Sequence, residues 1–117
     1  MSDSSNDCIF CKLVAGEFGT EFVAETDLVV AFNDLSPQAP THVLIVPRRH
    51  VASGADLAAD DDVLLGDCVR VANQIAKDRG LESSGYRILT NVGPDAGQTV
   101  FHLHWHLLGG KALGPLA

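Results

Sequence analysis

The sequence predicts an α+β domain built on a largely antiparallel sheet. Apolar stretches of strand length fall into two groups, three before residue 50 and two after residue 85. One long stretch of helical periodicity separates the groups, and a short helical stretch precedes them. Strands gathered in groups, rather than alternating singly with helices, indicate an antiparallel sheet with the helices set to the side. A chain of 117 residues supports one domain with one core. Its 46% apolar and 20% charged content is that of a globular protein. The net charge of −7 argues against general attraction to nucleic acid. A nucleotide-sized ligand remains compatible, because a local pocket can differ in charge from the surface around it.

The elements follow in order. Residues 1–7 are polar and acidic and are expected to form a flexible tail. They lack the basic and apolar regions of a signal peptide, and no apolar run approaches membrane-spanning length. Three cysteines, an odd number, suit a reducing compartment. A cytoplasmic protein with neither a membrane nor a nucleic-acid partner is expected. Residues 8–15 form a short helix with Asp7 as N-cap and Gly16 as stop, placing Cys8 and Cys11 on one face. Residues 21–25 and 28–32 form a hairpin, and residues 33–41 form a loop punctuated by Pro37 and Pro40. Residues 42–47 read as a buried strand ended by Pro47.

The main helix is expected over residues 57–79. Asp60, Asp61 and Asp62 favour its positive end, and Lys77 and Arg79 its negative end. Leu64, Cys68, Val71, Ala72 and Ile75 make one apolar stripe, widened by Leu65, Val69 and Ala76. Residues 86–91 form a further strand, residues 92–99 a glycine-containing loop, and residues 101–108 the last strand. Residues 111–117 are a tail without a clear pattern.

The last strand carries three of the five histidines on alternate positions. A two-residue period puts His102, His104 and His106 on one face, with Phe101, Leu103, Trp105 and Leu107 on the other. Neighbouring imidazoles would then lie about 6.5–7 Å apart. Two chemistries compete for them. Two of the histidines can reach one metal ion, but all three span roughly 13 Å, too far for a single undistorted site. Alternatively, the middle imidazole attacks as a nucleophile while its neighbours bind or protonate the reacting groups. The preceding loop suits the second chemistry. Gly93 and Gly97 permit close backbone approach, and Asn91, Gln98 and Thr99 offer neutral donors to a phosphate or leaving group. In the first half, Asp34 can accept hydrogen bonds from two ribose hydroxyls. Ile9, Phe10, Leu13, Phe32, Leu35 and Leu44 can wall an apolar slot for a base.

The segment 102–108 matches the pattern His-φ-His-φ-His-φ-φ, with φ apolar, and follows Gly97-Gln98-Thr99. Together with Cys8-Ile9-Phe10-Cys11-Lys12, the loop 32–42 and Val46-Pro47-Arg48-Arg49-His50, it resembles the histidine triad superfamily, Hint branch. The likeness spans residues 8–110, which it marks as one histidine triad (HIT) domain. It implies a homodimer in which two five-stranded antiparallel sheets, each with one long and one short helix, join into ten strands. It implies hydrolysis of purine nucleoside 5′-phosphoramidates and aminoacyl-adenylates, with AMP, GMP or adenosine as ligands and no cofactor needed for catalysis. By position, His104 is implied as the nucleophile that becomes nucleotidylated. His106 contacts the phosphate or leaving group, and His42 sits beside the nucleophile. Thr99 occupies the place of a serine that touches the leaving-group nitrogen. Asn91 and Gln98 hold the phosphate, Asp34 holds the ribose, and the six apolar residues form the base slot. Some bacterial members carry a structural zinc, here implied on Cys8, Cys11, His50 and His102.

This chain departs from the pattern in three places. Thr99 is larger than serine, Trp105 is large for its position, and residues 114–117 lack the tryptophan-bearing tail of some members. Two alternatives on the same fold are a nucleotide-binding or scaffold protein with incidental hydrolysis, and a dinucleotide polyphosphate hydrolase.

Overall fold

A computed structural model describes residues 7–116. The expected N-terminal tail therefore lies outside the described residues except for Asp7. The order is α1 (Ile9–Val14), β1 (Ala24–Glu25), β2 (Val29–Asn33), β3 (Thr41–Pro47), α2 (Asp62–Asp78), β4 (Tyr86–Leu89) and β5 (Trp105–Gly109). The five strands form one antiparallel sheet in the order β1-β2-β3-β5-β4.

Residues directly opposite each other in an antiparallel pair share a sheet face. Val29, Ala31, Val43 and Ile45 face α2 and pack with its Leu64, Cys68, Val71, Ala72, Ile75 and Ala76. Val30, Phe32, Leu44 and Val46 face the other way and pack with Phe10 and Leu13 of α1. Both faces of β2 and β3 are therefore covered. That explains why these strands read as continuous apolar runs instead of alternating ones.

Several boundaries differ from expectation. β1 has two residues, not five. The N-cap of α1 is Cys8 rather than Asp7, its sulfur accepting a hydrogen bond from the Cys11 N–H at 3.3 Å. The long helix begins at residue 62, not 57, because the preceding stretch makes two 3₁₀ turns, Gly54–Asp56 and Ala59–Asp61. The acidic run serves the second of these turns. The Asp61 carboxylate accepts from the Ala58 N–H at 2.9 Å and pairs with Arg49 at 2.7 Å.

The largest difference concerns the last strand, which begins at Trp105 rather than residue 101. Other partners claim the backbone just before it. The Leu103 N–H donates to the Val51 carbonyl at 2.6 Å, and the Thr90 hydroxyl donates to the His104 carbonyl at 2.7 Å. The three histidines are therefore not equivalent positions on one flat strand. Leu103 and Leu107 still enter the α2-side core, with Trp105 packed against it, but Phe101 is half exposed and joins neither layer.

Candidate active site

Strand register places the first two functional side chains. His106 lies opposite both Leu44 and Leu89, and His42 precedes Leu44 by two residues. Both imidazoles therefore share the α1 face of the sheet with Phe32 and Leu44. The Gln38 N–H donates to His42 Nδ1 at 3.0 Å. A nitrogen that accepts from a backbone N–H bears no proton, so neutral His42 carries its hydrogen on Nε2. That N–H donates to His106 Nδ1 at 2.9 Å. His106 is left with its own hydrogen on Nε2, available to a ligand. His42 thus partners His106 and not the expected nucleophile His104.

The Asp34 carboxylate stands 3.5 Å from His42 Nε2, and its other oxygen accepts from the Ser36 N–H at 2.7 Å. Asp34, His42 and His106 also cluster closely enough to hold a metal ion. The 2.9 Å contact between the two imidazoles is instead of hydrogen-bond length, and it occupies the nitrogens a metal would need.

Burial, followed by the neighbouring His104 and His42 rings, pushes His106 down to about 4, against an opposing pull from Asp34. His106 is therefore a neutral hydrogen-bond donor at physiological pH rather than a cation. The sign of the stability effect follows. Between about pH 6.5, its unfolded value, and about 4, the unfolded chain holds more protons at this residue. The His106 contribution is fully present above about 6.5 and is lost as pH falls through that window. Denaturant unfolding at stepped pH should reveal this loss in the native chain and a shallower pH dependence in His106→Gln. Identical slopes would contradict it.

His104 sits where the chain enters β5. Its Nδ1 lies 2.8 Å from the His102 carbonyl. A carbonyl only accepts, so Nδ1 carries the hydrogen, and in the neutral tautomer the lone pair is on Nε2. Among the described residues, no protein group hydrogen-bonds Nε2. The Phe10 ring meets His104 edge to face at 5.2 Å, and His106 lies 5.2 Å away between ring centroids. An unprotonated nitrogen and an N–H donor on adjacent rings suit attack on an electrophile whose oxygens need a donor.

His102 turns away from this pair and is fully buried. Its Nε2–H donates to the Pro47 carbonyl at 2.8 Å, which leaves Nδ1 as a lone pair. That nitrogen points at Cys8 Sγ (3.3 Å) and Cys11 Sγ (3.5 Å), while His50 Nδ1 lies 3.3 Å from Cys11 Sγ. The four donor atoms lie within 4.8 Å of one another. Tetrahedral zinc with sulfur at about 2.3 Å and nitrogen at about 2.0–2.1 Å sets sulfur-to-nitrogen distances of about 3.5 Å. The residues therefore fit such an ion in donor type and spacing, and the His102 tautomer leaves Nδ1 free to ligate it. Without a cation, burial and then the adjacent Cys8 thiol push Cys11 up to about 11.

A cleft of about 500 Å³ opens on the α1 side. Ile9, Phe10, Leu13, Phe32, Leu35 and Leu44 all line it, and Asp34 stands at its wall. Phe18, Thr20 and Asn33 line it as well and were not anticipated. The available signal for Phe18 was a lone aromatic between Gly16 and Gly19. Leu35 is fully exposed, so it can only border the cleft.

The loop residues separate. Gln98 is buried and its side chain is fully employed. It accepts from the Gly93 N–H at 2.9 Å and donates to the Ala52 and Val100 carbonyls at 2.8 and 3.1 Å. The two carbonyls fix which end of the amide is nitrogen, so no donor remains for a phosphate. Its expected phosphate role is replaced by that of a loop staple. Thr99 is exposed and lines a separate depression with Cys8, Ile9, His50 and Phe101. Asn91 is half-buried, two residues beyond the Leu89 position that pairs with His106. Thr90, whose hydroxyl holds the His104 carbonyl, was not anticipated. A threonine at a strand end gives no sequence signal of that role.

The HIT domain family matches residues 15–113, most of the chain. This protein belongs to the HIT family. The HIT match begins after Cys8 and Cys11, so the cysteine pair lies outside it. The chain is 42% identical to the purine nucleoside phosphoramidase of Escherichia coli K12 over 112 residues, 96% of this chain and 94% of that one. It superposes on a HIT family hydrolase from Legionella pneumophila with a TM-score of 0.89 and 43% identity, covering 92% and 96% of the two chains. A histidine triad protein from Clostridium difficile gives 0.89 and 44%, covering 95% and 96%. The five-stranded antiparallel sheet with one long helix is thus the HIT fold.

Proposed function

We propose that this HIT protein hydrolyses the P–N bond of purine nucleoside 5′-phosphoramidates through a nucleotidyl intermediate on His104. One observation carries the reading. His104 presents an Nε2 lone pair beside the Nε2–H of neutral His106, and its ring packs edge to face on Phe10, which with Asp34 lines the apolar cleft. The likeness to a purine nucleoside phosphoramidase supports the substrate class.

The base occupies the cleft formed by Ile9, Phe10, Leu13, Phe32, Leu35 and Leu44, and the ribose hydroxyls donate to Asp34. His104 Nε2 attacks phosphorus as the P–N bond breaks, and the departing amine takes one proton from solvent water. His106 Nε2–H donates to a phosphate oxygen, held in that role by the hydrogen bond from His42. The imidazolium formed on His104 keeps its Nδ1–H on the His102 carbonyl, which stabilises the new positive charge. Water then attacks phosphorus as the P–Nε2 bond breaks, which releases the nucleotide, gives one proton back to solvent and restores neutral His104. Asn91 and Thr99 are assigned to the phosphate and leaving-group side, with Thr99 on the depression next to the cleft.

A direct comparison of adenosine 5′-phosphoramidate with a diadenosine polyphosphate tests the assignment. Faster turnover of the amidate is expected. Preference for the dinucleotide would favour the polyphosphate hydrolase alternative, and tight AMP binding with no turnover of either would favour a binding protein.

Cys8, Cys11, His50 and His102 are assigned to a structural zinc, which would tie α1 to the chain segments flanking β3 and β5. Metal analysis of protein purified without added zinc should find about one ion per chain, with two thiols shielded from titration. A ratio near zero with freely titrating thiols would remove the zinc.

The homodimer is assigned to the β4 edge. The opposite edge, β1, has only two residues, whereas β4 offers four half-buried ones. Light scattering should give twice the 12.4 kDa chain mass, and a monomer at micromolar concentration would refute the dimer. Three free cysteines accord with a reducing, cytoplasmic setting. Among the described residues, no helix is long and apolar enough to cross a membrane.

A further inference from the structure

α1 is a weak element in a demanding position. It has six residues, no acidic residue in its first turn, and only Phe10 and Leu13 buried. A helix this short does not persist in water without tertiary anchors. Yet it supplies Ile9, Phe10 and Leu13, half of the six apolar residues assigned to the base slot. Phe10 is the hub. Its ring meets Phe32 at 5.7 Å, His104 at 5.2 Å and His102 at 6.0 Å, each edge to face.

The polar anchor of α1 consists of Cys8 and Cys11, which flank Phe10. Both sulfurs reach His102, and Cys11 also reaches His50. His50 follows β3 and His102 precedes β5, so the cluster joins the helix to both sides of the site. The sulfur-to-imidazole contacts are 3.3–3.5 Å long, and by themselves they are weak because sulfur is a poor hydrogen-bond partner. Two metal–thiolate and two metal–imidazole bonds at the same four atoms would hold the helix far more firmly.

We propose that metal occupancy of the Cys8-Cys11-His50-His102 centre sets the affinity of the nucleotide site, by fixing α1 as the wall of the base slot. This rests on the zinc assignment above. Binding needs α1 docked. If docking falls to about a tenth of molecules without metal, the apparent dissociation constant rises about tenfold. Because the affected wall touches the base, adenosine and AMP lose affinity alike.

The test is calorimetric titration of the full chain with adenosine and with AMP, neither of which turns over. Zinc-loaded, chelator-stripped and zinc-restored protein are compared, with amide hydrogen exchange read in parallel. The expected result is a loss of about tenfold for both ligands on stripping, recovered with zinc. Faster exchange should be confined to α1, with β3 still protected. Cys11→Ser should behave as stripped protein. Zinc that binds but leaves both affinities and α1 exchange unchanged would overturn the inference while sparing the zinc assignment. Affinity loss for AMP alone, or loss of β3 protection, would also overturn it. Failure to bind zinc at all would overturn the assignment and the inference together.

Discussion

His104→Ala is expected to lower phosphoramidase turnover by on the order of 10⁴-fold or more while leaving the fold intact. Loss of a nucleophile removes the covalent route itself, not one contribution to a shared transition state. The fold should survive because the His104 side chain makes one hydrogen bond, to the His102 carbonyl. The backbone hydrogen bond from Thr90 to the His104 carbonyl does not depend on the side chain. Nucleotide affinity should change little, since the residues assigned to the base and ribose lie on α1, β2, β3 and the loop after β2. A His104→Ala protein that turns over the amidate at the native rate would exclude the covalent mechanism. Loss of thermal stability together with activity would instead make His104 a structural residue.

Leu103→Ala should produce the largest loss of stability among the residues around the triad, about 2–5 kcal/mol. Leu103 is 1% exposed and lies in the core beneath α2, between His102 and His104 in the chain. Truncation removes buried apolar surface and leaves a cavity that a packed sheet-and-helix core only partly closes. Because its N–H still donates to the Val51 carbonyl, the backbone path should persist and the cost should come from packing. Urea unfolding should show a lower midpoint at an unchanged slope. A shift below about 1 kcal/mol would mean that residues 101–104 are not anchored through the core as described.

Much of this architecture is legible in the chain. The continuous apolar runs of β2 and β3 reflect burial on both faces, and the α2 stripe packs against one of them. The six slot residues gather at one cleft although they come from α1, β2, β3 and a loop. The metal-type cluster forms from residues up to 94 apart in sequence. Three things were not legible, for physical reasons. Alternation across residues 101–108 implies one strand, but Val51 and Thr90 capture the backbone ahead of Trp105. A run of three aspartates reads as a helix start, yet Asp61 closes a 3₁₀ turn on Ala58 and Arg49. Gln98 beside three histidines reads as a ligand donor, but its amide is consumed within its own loop and by Ala52. In each case one deciding partner, Val51, Arg49 or Ala52, lies far enough away in the chain that no local pattern encodes its approach.

The tautomers divide the triad more sharply than spacing does. His102 points its lone pair at the cysteines and gives its carbonyl to His104. His104 gives its Nδ1–H to that carbonyl, and among the described residues no protein group hydrogen-bonds its Nε2. His106, set by His42 and through it by the Gln38 backbone, offers a hydrogen.

The central claim is the covalent intermediate on His104 Nε2. Mixing enzyme with excess adenosine 5′-phosphoramidate, quenching in alkali within one turnover and measuring the intact mass tests it most directly. One adenylyl group per active chain, mapping to the peptide that contains His104 and absent in His104→Ala, is the predicted result. Steady turnover with no adduct at any time point, or an adduct on another residue, would contradict it.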